Sequence, residues 1–465
     1  MQSPRDILAD LWSSVGGDAA ALGRVTLTGE EPQLPSSFRV AAAAQASIAA
    51  AAMAAAEIWK LRSGQAQDIA VDMRHAAVEC RSERYLRVDG KPPGPAWDAI
   101  AGIYQTGDRR FVRLHTNFGH HREAVCKVLG CKAERDAVQA ALAPWEGEKF
   151  ETAAYAAGGV VAMMRSREEW SATPHARALA PLPLISIEKI GDAAPKAWTA
   201  GDRPLSGVRV LDLSRVIAGP VAGRSLAAHG ADVMLISSPN LPAIHWLTID
   251  TGRGKLTSFA DLKSAQGREI LTGLLAQADI FSQGYRPSAI AALGFSPEAA
   301  ARINPGIVYV SLSAYGHAGP WAGRRGFDSL VQTTTGFNHA EGQAAGIDGP
   351  KELPAQMLDH ATGQLMAFGA MMAKARQARE GGSWHVRVSL AQTGNWLWNL
   401  GRVADGFKTA DLPAEAVVPF VEEVPSGFGP LRSVRHSALL SETPAFWARP
   451  AMPLGSHPPQ WPALG

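Results

Sequence analysis

The chain has almost no net charge: 45 lysines and arginines stand against 43 aspartates and glutamates, a formal balance of +2 over 465 residues. So weak a field would not draw it onto nucleic acid or an anionic membrane, and any anionic ligand must be met by cations gathered locally. Cysteine is scarce as well. Cys80, Cys126 and Cys131 form neither a disulfide framework nor a paired CxxC zinc pattern, which suits a reducing compartment, and a cytoplasmic address is expected. The opening MQSPRDILADLW has an early arginine and aspartate and no apolar stretch, so a secretory signal is not expected. The longest uncharged run, Val40 to Ala56, is mostly alanine and is closed by Glu57 and Lys60. It reads as too weakly hydrophobic and too short to span a bilayer, and as a helix packed in a core. Neither GxxxxGK[ST] nor GxGxxG occurs, so ATP and NAD find little support. His120 and His121 form a histidine pair without a carboxylate or cysteine at ligand spacing, and no metal site is expected. Trp384, Trp396 and Trp398 are spaced for core or interface packing rather than for stacking on bases.

What the chain does have is an apolar content of 46% against 19% charged residues, the balance of a folded protein, at a length that suggests two to four domains. A polar stretch with proline and glycine, Ile187 to Gly207, reads as a break between them. Beyond it, Val208 to Leu213 reads as a buried strand, Gly219-Pro220 opens a helix running through Ala228, Gly230 closes it, and Asp232 to Ile236 is a second strand. The alternation continues with a helix from Ser264 to Gln277 and a strand at Asp279 to Ser282. Ser296-Pro297-Glu298 then starts a helix, Asn304-Pro305-Gly306 stops it, and Ile307 to Ser313 is another strand. Such a pattern implies an α/β fold with a parallel, right-handed, doubly wound sheet, whose ligands bind at the carboxyl ends of the strands. Those ends are Ser214 to Gly219, Ser237 to Asn240, Gln283 to Pro287 and Ala314 to Pro320. A faint internal repeat relates Arg62 to Ala76 to Arg379 to Thr393 at an offset of 317 residues.

Three blocks carry a wider likeness: PLSGVRVLDLSRVIAGPVAGRSLAAHGADVMLI, DLKSAQGREILTGLLAQADIFSQGYRPSAIAALGF and INPGIVYVSLSAYGHAGPWAGRRGFDSLVQTTTG. From Pro204 to Thr393 the chain resembles the front half of the family III CoA-transferases, which include formyl-CoA transferase and carnitine CoA-transferase, and SGFGPLRSVRHSALLSETPAF resembles their closing segment. The first 190 residues resemble the back half of the same family, through the alanine-rich helix, SGQAQDIAVDM, AIAGIYQTGDRRFVRLHT and REEWSATPHARAL. The resemblance implies a Rossmann-like sheet domain with a smaller α+β domain, arranged as a tandem of truncated units. Residues 1–190 would be a back-half unit with the small domain at about 75–185, residues 191–206 a linker, and residues 207–465 the front-half CoA-binding unit. It further implies an intertwined homodimer, an acyl-CoA and a small carboxylic acid as partners, coenzyme A as substrate, and no permanently bound cofactor.

In that family one aspartate attacks the thioester carbonyl to form an anhydride. The matching position is Asp359, and the 317-residue offset puts Ala42 in its place in the first unit. Asp359 also reads as a simple helix N-cap, a role aspartate favours, and the helix terminus would keep it ionised. Coenzyme A needs cations and an apolar slot. The resemblance assigns these to Arg215, Val216 and Ala218 in the SRVIAGP turn, to Lys263, to Arg325, and to Tyr285, which would pack on adenine; the plain alternative for each cation is a solvated surface charge. Asp328 reads either as a second carboxylate near the thioester or as a structural cap. The chain departs from the family where Ser237 replaces a usual glutamate, where Gly252-Arg253-Gly254-Lys255 stands for N-R-N-K and where Gly284-Tyr285-Arg286-Pro287-Ser288 stands for NFRPG; a four-glycine run is also missing. The leading expectation is CoA transfer through an aspartyl-enzyme. Alternatives are an acyl-CoA racemase, lyase or hydratase on the same scaffold, with Phe327 in place of the racemases' histidine arguing against the first, and a non-catalytic CoA-binding protein.

Overall fold

The computed structural model describes residues 2–92 and 94–463, and its largest element is a seven-stranded sheet. Numbered along the chain, the strands are β1 (Ser186–Gly191), β2 (Arg209–Leu213), β3 (Asp232–Ser237), β4 (Lys255–Phe259), β5 (Ile280–Gln283), β6 (Val308–Ser313) and β7 (Ser383–Ser389). They lie side by side as β4-β3-β2-β5-β6-β7-β1. β2 to β7 are parallel, and β1 closes the edge antiparallel to β7. Counted from β2 this is the doubly wound order 3-2-1-4-5-6, so the winding reverses between β2 and β5 and a crevice opens above their carboxyl ends. The central strands have no apolar-polar alternation because both faces are covered. Asp212, buried in β2, is tolerated because Lys255 Nζ of β4 lies 2.9 Å from it and Ser214 Oγ donates to it at 2.5 Å.

The strands and helices expected from Val208 onward are present with ends moved by one or two residues. Ser296 caps its helix by accepting from the Ala299 N–H, with Pro297 in the first turn. β4 went unread because Lys255 and two hydroxyl residues break its apolar run. The break expected from Ile187 begins inside β1, whose lysine and glutamate suit an edge strand with one side in water.

Four helices position the site: α1 (Val40–Ser63), α2 (Ala218–Ala228), α3 (Asp328–Thr334) and α4 (Met357–Glu380). By length and composition α1 is apolar enough to cross a membrane, more so than its sequence suggested, yet 89% of its most apolar window is buried inside the protein. It lies along α4, and its alanines allow the two backbones a close approach. α4 in turn crosses α2, and the crossing depends on Gly363: a Cβ there would stand 2.5 Å from the Ala218 carbonyl oxygen. Shifted by 317 residues, α1 falls on α4 end to end, and the strand Ile69–Asp72 falls on the last four residues of β7.

The two ends of the chain share sheets. Ile69–Asp72 pairs with Val25–Thr28 on one side and with Ala438–Leu440 on the other, and Leu431–Val434 pairs with Arg87–Val88. Buried polar contacts follow the same seam: Glu79 accepts from the Ser437 N–H at 2.7 Å, and Arg224 and Ser82 both meet Asp250 at 2.7 Å. A smaller layer stands apart with its own core. There Gly102–Gln105, Phe111–Leu114 and Val161–Met163 form an antiparallel sheet, packed through Tyr104, Val112, Leu114, Val125 and Phe150. This layer leans over the carboxyl ends of the large sheet.

Candidate active site

β2 ends at Leu213, and the chain turns sharply before α2. At the corner Val216 has φ 73, a left-handed conformation that a β-branched residue adopts only under strain, and such strain is concentrated where function needs it. The corner brings Arg215, Val216 and Ala218 to the crevice, and β5 delivers Tyr285 to its other side. The resulting cavity has a volume of about 280 Å³, and Arg325 and Asp359 also line it. Three of the four strand ends expected to meet a ligand contribute to its wall. Arg215 is fixed by donating to the Pro242 carbonyl and lies over the Phe118 ring at 4.6 Å. Lys263 is not brought in: it is exposed in the turn after β4, two strands from β2, hence about 10 Å along the sheet. Lys263 borders neither of the cavities that Asp359 lines.

Asp359 is the third residue of α4, and the N-cap position belongs to Gln356, which makes no side-chain cap. The cap comes instead from a distant residue. The Asp359 N–H donates to Asp328 Oδ2 at 2.8 Å, and the Gln332 side chain donates to the other oxygen. Asp359 is therefore not the plain N-cap of its helix, and its carboxyl remains free to face the cavity, while Asp328 caps the turn that carries it. Both are buried, 7% and 1% exposed.

The electrostatics run against one expectation. The terminus of α4 was expected to keep Asp359 ionised, but its pKa lies well above the ordinary carboxylate value, because burial strips its water and the carboxylates of Asp328 and Glu83 stand close by. A helix terminus supplies about half a charge and does not offset both. Burial also pushes Asp328 up, to about 6, against the hydrogen bonds from the Asp359 backbone and Gln332. Burial alone would raise Glu83 too, yet His360, 3.0 Å away and next to Asp359 in sequence, holds it below its usual range.

A second cavity, of about 130 Å³, adjoins the first. Val216, Phe327 and Asp359 border both, so the Asp359 carboxyl stands at the junction. Trp97, Trp246, Ile217 and Leu247 give the second cavity an apolar wall, and His115, Glu83 and Asp328 give it polar points. Several of these residues were not found from sequence. His120 and His121, read as unremarkable, line the first cavity together with Arg286 and Arg324. His121 is lowered to about 3, chiefly by burial and then by His120, Arg325 and Arg215, so it is neutral. Glu83 gave no signal, being 277 residues from its partner His360. His115 did: FVRLHT puts Arg113 and His115 on one face of a strand, an unusual pair to bury. Among the described residues no group of three or more His, Cys, Asp or Glu side chains could hold a metal ion.

Residues 16–193 and 205–415 match the profile of CoA-transferase family III. An acyl-CoA transferase of Gibberella moniliformis is 28% identical over 421 residues, 80% of this chain and 73% of the relative. An acetyl-coenzyme A transferase of Hypoxylon pulicicidum is 29% identical over 64% of this chain and 54% of its own length. The succinate–glutarate CoA-transferase of Agrobacterium fabrum is 31% identical over 40% of this chain and 51% of the relative. The chain thus spans about half the length of most of these relatives. Among solved structures, Rv3272 of M. tuberculosis is similar at 29% identity over 43% of this chain and 57% of that one, with a TM-score of 0.39.

Proposed function

The chain belongs to CoA-transferase family III, and from that premise we propose that it moves CoA from an acyl-CoA thioester to a carboxylic acid, with Asp359 as the nucleophile. The observation that carries this reading is the place of Asp359: its carboxyl stands where a cavity lined by arginines meets a smaller apolar one. A CoA arm fits the first, with Arg215 and Arg325 for its phosphates and Tyr285 for its adenine, and an acyl group fits the second. The Asp359 carboxylate attacks the thioester carbonyl, the C–S bond breaks, and an acyl-aspartyl anhydride forms with CoA thiolate as leaving group. The thiolate then attacks the aspartyl carbonyl of the anhydride, giving an aspartyl-CoA thioester and releasing the first acid as its carboxylate. The incoming carboxylate attacks that thioester and expels the thiolate again. Finally the thiolate attacks the acyl carbonyl of the new anhydride, which makes the product thioester and restores Asp359.

Burial that raises Asp359 also keeps water from the anhydride, and an ion stripped of water is the better nucleophile once it forms. Asp328 holds the first turn of α4 in place, so the carboxyl is presented in one orientation. We read residues 1–190 and 207–465 as complementary truncated units of one tandem, with Ala42 leaving the first unit without a nucleophile. The homodimer and the cytoplasmic address belong to the same reading, and light scattering tests the former. The decisive experiment is hydroxylamine trapping of the enzyme with a panel of acyl-CoAs. Wild type should form a hydroxamate at Asp359, and Asp359→Ala should form none while binding CoA within about tenfold. A variant that keeps the wild-type exchange rate would remove Asp359 from the mechanism; CoA binding without any trapped acyl-enzyme would favour a binding protein.

A further inference from the structure

His115 is 4% exposed and lines the smaller cavity, yet neither of its ring nitrogens has a hydrogen-bond partner among the described residues. Its ring is held rather than loose: it stacks on Phe327 at 3.8 Å between centroids and meets Trp97 edge-on at 5.7 Å. Buried polar atoms in folded proteins are nearly always paired, and an exception beside a cavity calls for a partner inside it. The neighbouring Asn117 is already used, accepting from the Asp98 N–H at 2.9 Å and donating to the Ala96 carbonyl at 3.0 Å. We propose, resting on the transferase reading of the site, that the smaller cavity takes a short acyl group carrying a hydroxyl, and that His115 is the specificity-determining residue that recognises it.

A hydroxyl is the matching group because it both donates and accepts, so it pairs with either ring nitrogen in either tautomer. A carboxylate matches poorly. It only accepts, it would join Glu83, Asp328 and Asp359 in one small wall, and it would want an imidazolium. Burial, with Arg113 and His121 nearby, instead keeps His115 neutral. Arg84 reaches the lining from an exposed position at the rim, so a terminal carboxylate could be met there only at the solvent edge. A volume of about 130 Å³ suits an acyl group on the order of four to ten non-hydrogen atoms.

The test is calorimetric binding, without an acceptor acid, of butanoyl-CoA, 3-hydroxybutanoyl-CoA, 4-hydroxybutanoyl-CoA and succinyl-CoA, with CoA as reference. In wild type one hydroxy compound should bind about tenfold tighter than butanoyl-CoA. His115→Phe, which keeps the stack on Phe327, should abolish that difference and leave CoA unchanged, and His115→Gln, which still donates and accepts, should retain part of it. Should the phenylalanine variant fail to fold, the wild-type series and the glutamine variant decide. Equal affinities for the whole set, tightest binding of succinyl-CoA, or an equal loss for every ligand in His115→Phe overturns the proposal and leaves the transferase reading standing. Failure of CoA itself to bind wild type overturns both.

Discussion

Asp328→Asn separates the charge of Asp328 from its capping role. In the folded protein Asp328 is raised from 3.8 to about 6, mainly by burial, so the native state holds its proton more tightly than the unfolded chain does. A raised folded pKa contributes stability that is fully present below the unfolded value and is lost as pH rises through the folded one. Between about pH 4 and pH 6 wild type should therefore lose about 3 kcal/mol through this residue, at 1.36 kcal/mol per unit. Asparagine does not titrate. Its carbonyl can accept from the Asp359 N–H, but its NH₂ meets the side-chain amide of Gln332, which is held by the Ala355 carbonyl and the Leu353 N–H. That mismatch costs about 1–3 kcal/mol at every pH. The variant should thus be less stable than wild type at pH 4 and regain about 3 kcal/mol relative to it by pH 7. Urea denaturation of both proteins across that range measures the difference; residues away from the site titrate alike and cancel, while Asp359, raised less in the variant, adds to the difference in the same direction. Losing one of the charges that raise Asp359 should also move the rising limb of the pH–rate profile to lower pH. A stability difference that stays flat with pH, or moves the other way, would refute the assignment of a buried, proton-holding Asp328.

Arg215→Ala should weaken CoA about tenfold while leaving a pantetheine thioester, which has no nucleotide, nearly unaffected, whereas Lys263→Ala should change neither by more than about twofold; calorimetry with both ligands checks this. Glu83→Ala removes the partner of buried His360 and should destabilise the fold by about 3 kcal/mol at neutral pH, read from denaturant midpoints. Gly363→Ala drives a methyl group against the Ala218 carbonyl where α2 and α4 cross, and should cost about 1–3 kcal/mol and disturb CoA binding through the moved corner, whereas Gly273→Ala, where a Cβ meets open space, should do neither. Cleavage of the segment between β1 and β2 should leave two fragments that co-elute on size exclusion, because both contribute strands to shared sheets.

Local pattern alone determined the doubly wound half of the molecule. β2, β3, β5 and β6 are buried apolar runs punctuated by glycine, proline and good caps, and such signals act over a few residues and do not depend on what lies opposite. Three strands escaped: β4, where Lys255 is acceptable because Asp212 and the Pro220 carbonyl receive it, β1, a polar edge, and β7, which stood in the sequence only as half of the faint repeat. In the site, Arg215, Val216, Ala218, Tyr285, Arg325, Asp359 and Asp328 were legible through motif position, and all of them border the cavities; Lys263, legible in the same way, does not. What sequence could not supply is the set of contacts between residues far apart in the chain. Glu83 reaches His360, Asp328 caps the turn that bears Asp359, and His115 from the smaller layer stacks on Phe327. These decide whether Asp359 carries a proton and what stands across from it, because pKa depends on burial and on charges within a few ångströms, quantities that exist only once the chain has folded.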